Sequence, residues 1–327
     1  MTAVPKPSYS VIIPAYNAEK TIGACLEGVS RQSLPEAAYE IILVDDGSTD
    51  ATAELARAFD LKYLFQENQG PASARNYGAS NACGDIFLFT DSDCVPDYQW
   101  IEKMTAPFDS PEVVAVKGAY KTRQTALVAR FAQSEFVDRY AYLKKSDSID
   151  MVDTYAAAFR KEIFLKMGGF DQSFPAANNE DTEFSYRLAA KGCRLVFNQD
   201  AFVYHVHPET LFRYLKTKFW RGYWRIIVYR RFPGKAVKDS YTPAVVKIQA
   251  ILMAGSFVCL PLALWVPGFL CPALTAWGFI FFSAIPFAWK TYKTDRQVGL
   301  FSPGLVFLRA LVFAAGSLAA FLRPRPR

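Results

Sequence analysis

Three runs near the C-terminus divide this chain between two solvents. Ile248 to Val266 is nineteen residues without a charge, Phe269 to Trp289 is twenty-one, and Pro303 to Leu322 is twenty with Arg309 as its one charge. Each approaches the ~20 residues that cross the hydrocarbon core of a bilayer. Residues before about position 205 instead alternate apolar and charged stretches, so the composition shift marks a domain boundary. Only Pro267 and Gly268 separate the first two runs, which predicts a tight hairpin. The organisation expected is a first domain over 1–208, a basic and aromatic segment over 209–245, and a hydrophobic anchor of two to three helices over 246–327.

The middle segment has its own chemistry. Arg213 to Lys238 holds nine Lys or Arg and no acid, interleaved with Phe212, Tyr214, Phe219, Trp220, Tyr223, Trp224, Tyr229 and Phe232. Aromatic rings at headgroup depth and cations against lipid phosphates are what a membrane-interface segment needs. Nucleic acid would also attract such a segment, but its place beside the apolar runs favours lipid and no nucleic-acid partner. By the positive-inside rule the basic residues here and from Lys290 to Arg296 put the first domain on the cytoplasmic face. The Arg-rich tail, Arg323 to Arg327, conflicts with that if the third run spans, so two spans with an interfacial third helix stay open. Six scattered cysteines read as reduced thiols, and Met1 to Ser8 shows no secretion-signal core.

The first domain repeats one unit. Ser10 to Ile13, Ile41 to Val44, Tyr63 to Phe65 and Ile86 to Phe89 are short apolar runs that alternate with helical patterns. The helices are expected to carry Ile22, Leu26 and Val29, then Leu55 and Phe59 behind an Asp50 cap, then Ala72 to Ala82. Continuously apolar strands alternating with helices predict a mostly parallel α/β sheet covered on both faces. Ligands of such sheets bind at the carboxyl ends of the strands, where Asp45-Asp46 and Asp91-Ser92-Asp93 fall. Further strands are expected at Cys193 to Phe197 and Ala201 to Val206, after a helix opened by Asn179-Glu180-Asp181.

Asp91 and Asp93 are spaced to hold a hard divalent cation against a diphosphate. The chain has two histidines, His205 and His207, which on a strand would share a face. Imidazole added to carboxylates would favour Mn²⁺ over Mg²⁺. The plain alternatives are turn aspartates, surface histidines, and Glu180-Asp181 as acids on a helix dipole.

Five motifs in order, SVIIPAYNAEKTIGACLEGVSRQ, ILVDDGSTDAT, QENQGPASARNYGA, GDIFLFTDSDC and GGFDQSF with NEDTEFSYRLAAKG, resemble the family 2 inverting glycosyltransferases of GT-A fold, over Ser10 to His207. The resemblance implies a Rossmann-like catalytic domain and a nucleoside-diphosphate sugar donor, of UDP type. It implies that Pro14, Ala15 and Tyr16 line the base pocket, that Asp46 accepts a hydrogen bond from the base, and that Arg75 lies beside the phosphates. Asp91 and Asp93 match the family's D-x-D metal site, with His205 as a further metal ligand and His207 as the substitute. Asp181 matches the usual general base.

The acceptor implied is a hydroxyl of a lipid-linked or cell-envelope molecule, since a carboxylate base is idle against an ionised phosphate. A polyprenyl-phosphate sugar synthase and a catalytically silent membrane scaffold are the alternatives. The absence of a glycine-rich loop after the first strand speaks against a nucleotidyltransferase, and the absence of a Q-x-x-R-W motif together with too few spans for a channel speaks against a processive synthase.

Overall fold

The computed structural model describes residues 7–174 and 179–322. Along the chain run β1 (Tyr9–Ala15), α1 (Ile22–Ser30), β2 (Tyr39–Asp45), α2 (Thr52–Ala56), β3 (Lys62–Phe65), α3 (Pro71–Ser80) and β4 (Ile86–Phe89). There follow β5 (Cys94–Pro96), α4 (Trp100–Thr105), β6 (Val113–Lys121), α5 (Leu127–Leu143), β7 (Ala157–Arg160), α6 (Lys161–Lys166), α7 (Glu180–Ala190) and β8 (Arg194–His205). The last helices are α8 (Leu211–Arg231), α9 (Pro233–Val237), α10 (Ala244–Ala263), α11 (Leu270–Tyr292) and α12 (Arg296–Leu322).

The chain forms two compact units, residues 1–123 with 143–206, and residues 124–142 with 207–327. The boundary near residue 206 lies close to the composition shift. The α5 segment, from the middle of the first 208 residues, joins the second unit instead. Nothing in its pattern announces this, because its cations, acids and aromatics do not segregate to opposite faces.

In the first unit eight strands form one sheet in the order β3-β2-β1-β4-β7-β6-β8-β5. The half built from β1 to β4 is all parallel, as the uninterrupted apolar runs required. Val11, Ile12, Ile13, Ile42, Leu43, Val44, Phe87, Leu88 and Phe89 are fully buried, which only a sheet covered on both faces permits. The other half is mixed: β7 is antiparallel to β4 and β6, and β5 is antiparallel to β8. The two strands expected over residues 193–206 are one continuous strand, which pairs with β6 through register shifts. Phe59 falls beyond α2, although Asp50 does accept the Thr52 amide at 3.0 Å.

Register places the site. Ala15 at the end of β1 stands opposite Asp45 at the end of β2, which stands opposite Phe65 at the end of β3. Strand β4 stops at Phe89, opposite Ile12, and the chain turns into Thr90 to Asp93 at the same edge.

In the second unit α10, Pro267–Tyr292 and α12 are long and apolar enough to cross a membrane. They supply the membrane anchor. The tail Arg323–Arg327 lies outside the described residues.

Candidate active site

A cavity of about 440 Å³ opens at the carboxyl edge of the parallel strands, lined by Pro14, Ala15, Tyr16, Asp46, Asn68, Gly70, Pro71, Arg75, Asp91, Ser92 and Asp93. Its size is ordinary for a small-molecule site. The sequence-derived donor residues Pro14, Ala15, Tyr16, Asp46, Arg75 and Asp91 are all on this wall, together with Asp93. Asp181 is not. Each strand end contributes one part: β1 delivers Pro14 to Tyr16, β2 Asp46, β3 the loop that leads into α3, and β4 the two aspartates.

Tyr16 is 53% exposed, so its ring is a free platform at the cavity mouth. Asp46 is buried and largely occupied. Its Oδ1 accepts the Gln69 amide at 2.9 Å and the Gln66 side-chain amide at 2.6 Å, and its Oδ2 accepts the Gly70 amide at 2.9 Å. A carboxylate has about four acceptor positions, so one remains on Oδ2. Asp46 therefore shapes the loop before α3 as well as presenting an acceptor.

The centre of the site is Arg75, which is 2% exposed. One terminal nitrogen donates to Asp91 Oδ1 at 2.7 Å and the other to Glu180 Oε1 at 2.8 Å. Burial opposes its charge, but Asp91 and Glu180 outweigh burial and raise its pKa. Glu180 is buried as deeply. Burial lifts its carboxyl above the ordinary range, Arg75 pulls the other way, and neighbouring Asp181 lifts it again. The sequence offers Glu180 only as the neighbour of Asp181 or as a helix-dipole acid; its place against Arg75 needs the third dimension, since 105 residues separate them. Through this pair α7 is tied to the cavity floor. Asp181, the next residue, is half-buried, and its Oδ1 accepts the Thr182 amide at 2.6 Å.

Asp93, Cys94 and His205 bring one ligand atom each within 4.8 Å of one another. His205 Nδ1 lies 3.5 Å from Asp93 Oδ1 and 3.7 Å from Cys94 Sγ, because β5 pairs with β8 so that Cys94 faces His205. Burial and the nearby Asp93 push the Cys94 thiol well above its usual pKa. Desolvation works against the Asp93 charge, but the hydrogen bond and charge of His205 hold its pKa low. The Asp93 carboxylate and the His205 imidazole are a donor pair that fits a divalent cation such as Mn²⁺ or Mg²⁺. Behind it, the His205 ring stacks on Tyr120 at 4.4 Å and Tyr120 on Tyr155 at 3.3 Å between centroids. The hydroxyl of Tyr155 accepts from Lys117 Nζ at 3.0 Å.

The two histidines do not share a face. His205 ends β8, whereas His207 lies beyond the strand in the second unit, where its ring stacks on Phe136 and its Nε2 lies 2.9 Å from Gln133 Oε1. The alternation inferred from their spacing fails because the strand stops between them.

Known proteins share this architecture. The family model described as glycosyl transferase family 2 matches residues 10–168. Glycosyltransferase AglE of Haloferax volcanii is 31% identical over 66% of this chain and 71% of its own length. The chain belongs to glycosyl transferase family 2. The validoxylamine A glucosyltransferase of Streptomyces hygroscopicus subsp. limoneus is 28% identical over 60% of this chain, and the match spans 51% of that relative's length. Among solved structures, the mannosyltransferase PcManGT from Pyrobaculum calidifontis, in complex with GDP-Man and Mn²⁺, superposes with a TM-score of 0.62. That match covers 97% of this chain and 88% of PcManGT at 21% identity. Glucosyl-3-phosphoglycerate synthase from Mycobacterium tuberculosis matches 69% of this chain and 80% of its own, with a TM-score of 0.51 and 18% identity. The fold is of GT-A type, and the chain is a glycosyltransferase.

Proposed function

We propose that the chain is an inverting, metal-dependent transferase that moves a sugar from a nucleoside-diphosphate donor to a hydroxyl of a lipid-linked or envelope acceptor. The observation that carries this reading is the convergence of Tyr16, Asp46, Arg75, Asp91 and Asp93 on one cavity of about 440 Å³. Tyr16 offers a ring for stacking a base, and Asp46 offers its remaining acceptor position. The solved complex of PcManGT with GDP-Man and Mn²⁺ supports a nucleotide-sugar donor and a divalent ion; a UDP-type donor is the first to test.

Asp91, Asp93 and His205 are the residues assigned to the cation, which would supply positive charge against the diphosphate. Arg75, held by two carboxylates, is a fixed positive charge on the same wall. As the acceptor oxygen bonds to the anomeric carbon, the bond from that carbon to the diphosphate oxygen breaks and the electron pair leaves on the diphosphate. Asp181 takes the acceptor proton. A single displacement of this kind inverts the anomeric centre. Its base must stand opposite the leaving group, which agrees with an Asp181 tied to the cavity through Glu180 and Arg75 but set off its lining.

The three apolar helices anchor the chain, and the cations of α8 favour a catalytic unit on the cytoplasmic face. Purified protein in detergent is to be offered a panel of nucleoside-diphosphate sugars with and without Mn²⁺, and nucleoside diphosphate release is the measurement. Release that needs both Mn²⁺ and a hydroxyl acceptor is expected. Release from no donor under any condition would leave a membrane scaffold, and full activity of Asp181→Asn would point to a phosphate acceptor.

A further inference from the structure

In the second unit cations outnumber the acids that offset them. Lys218, Arg221 and Arg225 stand three and four residues apart on α8, so they share one face. That face meets α5: Lys218 donates to Glu135 at 2.7 Å, and the Arg221 guanidinium lies 6.0 Å from the centre of the Phe136 ring. Arg139, one turn along α5 from Glu135, pairs elsewhere. It donates to the Tyr241 hydroxyl at 2.7 Å and lies over the rings of Tyr241, at 4.0 Å, and Phe136, at 5.2 Å. Arg225 reaches the same Tyr241 ring at 5.7 Å. Three guanidinium groups therefore gather around two aromatic rings.

The nearby acids are committed to other partners. Glu135 is held by Lys218 and Arg309, and Asp138 by Lys290 at 2.7 Å. Asp239 accepts from Lys247 at 2.9 Å, from the Tyr229 hydroxyl and from two backbone amides. Among the described residues neither Arg139 nor Arg221 has a carboxylate partner, and Arg139 Nε is buried with no acceptor. Lys218 feels the surplus: burial, then Arg221 and Arg139, draw its pKa down to about 7 against the pull of Glu135. The aromatic rings hold the guanidinium planes without neutralising them. Arg139 and Arg221 are both half-buried, so a ligand can reach them, and a partly desolvated cation without a counter-charge is unfavourable until an anion offsets it.

The place of the cluster selects the anion. Arg139 follows Asp138, whose partner Lys290 lies two residues before α11 ends, and its own partner Tyr241 lies three residues before α10 begins. The cluster thus stands where the chain enters and leaves the first two apolar helices, at the level of lipid headgroups. We infer that Arg139 and Arg221, backed by Arg225, form a binding site for a phosphate group carried on a lipid. Guanidinium groups suit phosphate because their planar N–H forks meet its oxygens two at a time. Two lipids supply that chemistry: an anionic membrane lipid through its headgroup, or the lipid-linked acceptor through its phosphates, the second resting on the function proposed above.

The test is binding, read without donor or Mn²⁺, so a failure of the transferase reading leaves it intact. Full-length protein in non-ionic detergent is titrated with farnesyl diphosphate, phosphatidylglycerol, inorganic pyrophosphate and, as the uncharged control, farnesol, and bound probe is counted by native mass spectrometry. Uptake of a phosphate-bearing lipid but not of farnesol is expected, and the double variant Arg139→Gln with Arg221→Gln should weaken it on the order of ten- to hundredfold, the worth of about one charge-assisted hydrogen bond. Preference for farnesyl diphosphate assigns the site to the acceptor, and preference for phosphatidylglycerol assigns it to a headgroup. Pyrophosphate held as tightly as either lipid, farnesol held as tightly as farnesyl diphosphate, or equal uptake by parent and double variant overturns the inference. Because neither arginine has a counter-charge, their removal should not lower the unfolding midpoint of the ligand-free protein. If the double variant fails to accumulate, the comparison of the phosphate probes with farnesol on the unchanged chain decides.

Discussion

Each unit buries one ion between two of opposite sign, and the two arrangements differ in what they leave open. In the first unit Arg75 is held by Asp91 and Glu180; in the second Glu135 is held by Lys218 and Arg309, with the Tyr214 hydroxyl donating to it at 3.0 Å. Burial opposes the Glu135 charge, but Lys218 and Arg309 hold its carboxyl far below the usual range. Both oxygens of Glu135 are used and all its partners belong to helices. Arg75 instead stands on a cavity wall, and its partner Asp91 keeps 30% of its side chain exposed. The closed triad locks α5, α8 and α12 together. The open one fixes a charge where a ligand can meet it.

If that contrast is right, changes around the open triad alter rate and changes in the closed one alter stability. The largest effect expected is on rate: Asp181→Asn removes the proposed base and lowers turnover by about 10²–10⁴-fold, with the unfolding midpoint in detergent unchanged. A large fall in that midpoint would show Asp181 to be a structural acid. Next is Glu135→Gln, which leaves two cations with no carboxylate and costs about 3–5 kcal/mol of stability, read by denaturant unfolding in detergent. The pH dependence has a definite sign. A carboxyl whose pKa is depressed on folding stabilises above its unfolded value near 4.3, and that stability is lost as pH falls below it. Stability of the parent should therefore decline below about pH 4.3, more steeply than that of Glu135→Gln.

The parallel half of the sheet and the strand-end aspartates were legible because local patterns set them: an apolar run, then a turn rich in Asp and Gly. What the sequence did not reveal were pairings between distant segments. Glu180 against Arg75, Cys94 beside His205 and the Tyr120–Tyr155 stack depend on the order of β6, β7 and β8, which no local period encodes. The separation of His205 from His207 depended on where one strand stops. Hydropathy recorded α12 as apolar but could not say whether lipid or protein receives its side chains, since both reward the same residues.

Arg75→Lys tests the open triad at intermediate size. A lysine keeps the charge but cannot present two fixed nitrogens to Asp91 and Glu180, so turnover should drop on the order of tenfold, the worth of about one charge-assisted hydrogen bond. Unchanged turnover would mean that the charge alone matters at this wall.

Tyr16→Ala is the smallest change and the most selective. The ring is 53% exposed, so its loss creates no cavity in the core and should leave stability within about 0.5 kcal/mol. Stacking on an aromatic face contributes roughly 0.5–1.5 kcal/mol, which corresponds to about a two- to twelve-fold rise in donor KM. Because a base bound far from the anomeric carbon is held alike in the ground and transition states, kcat should not move. A fall in kcat at constant KM would place Tyr16 at the reacting sugar rather than at the base, and would turn the donor end for end in the cavity.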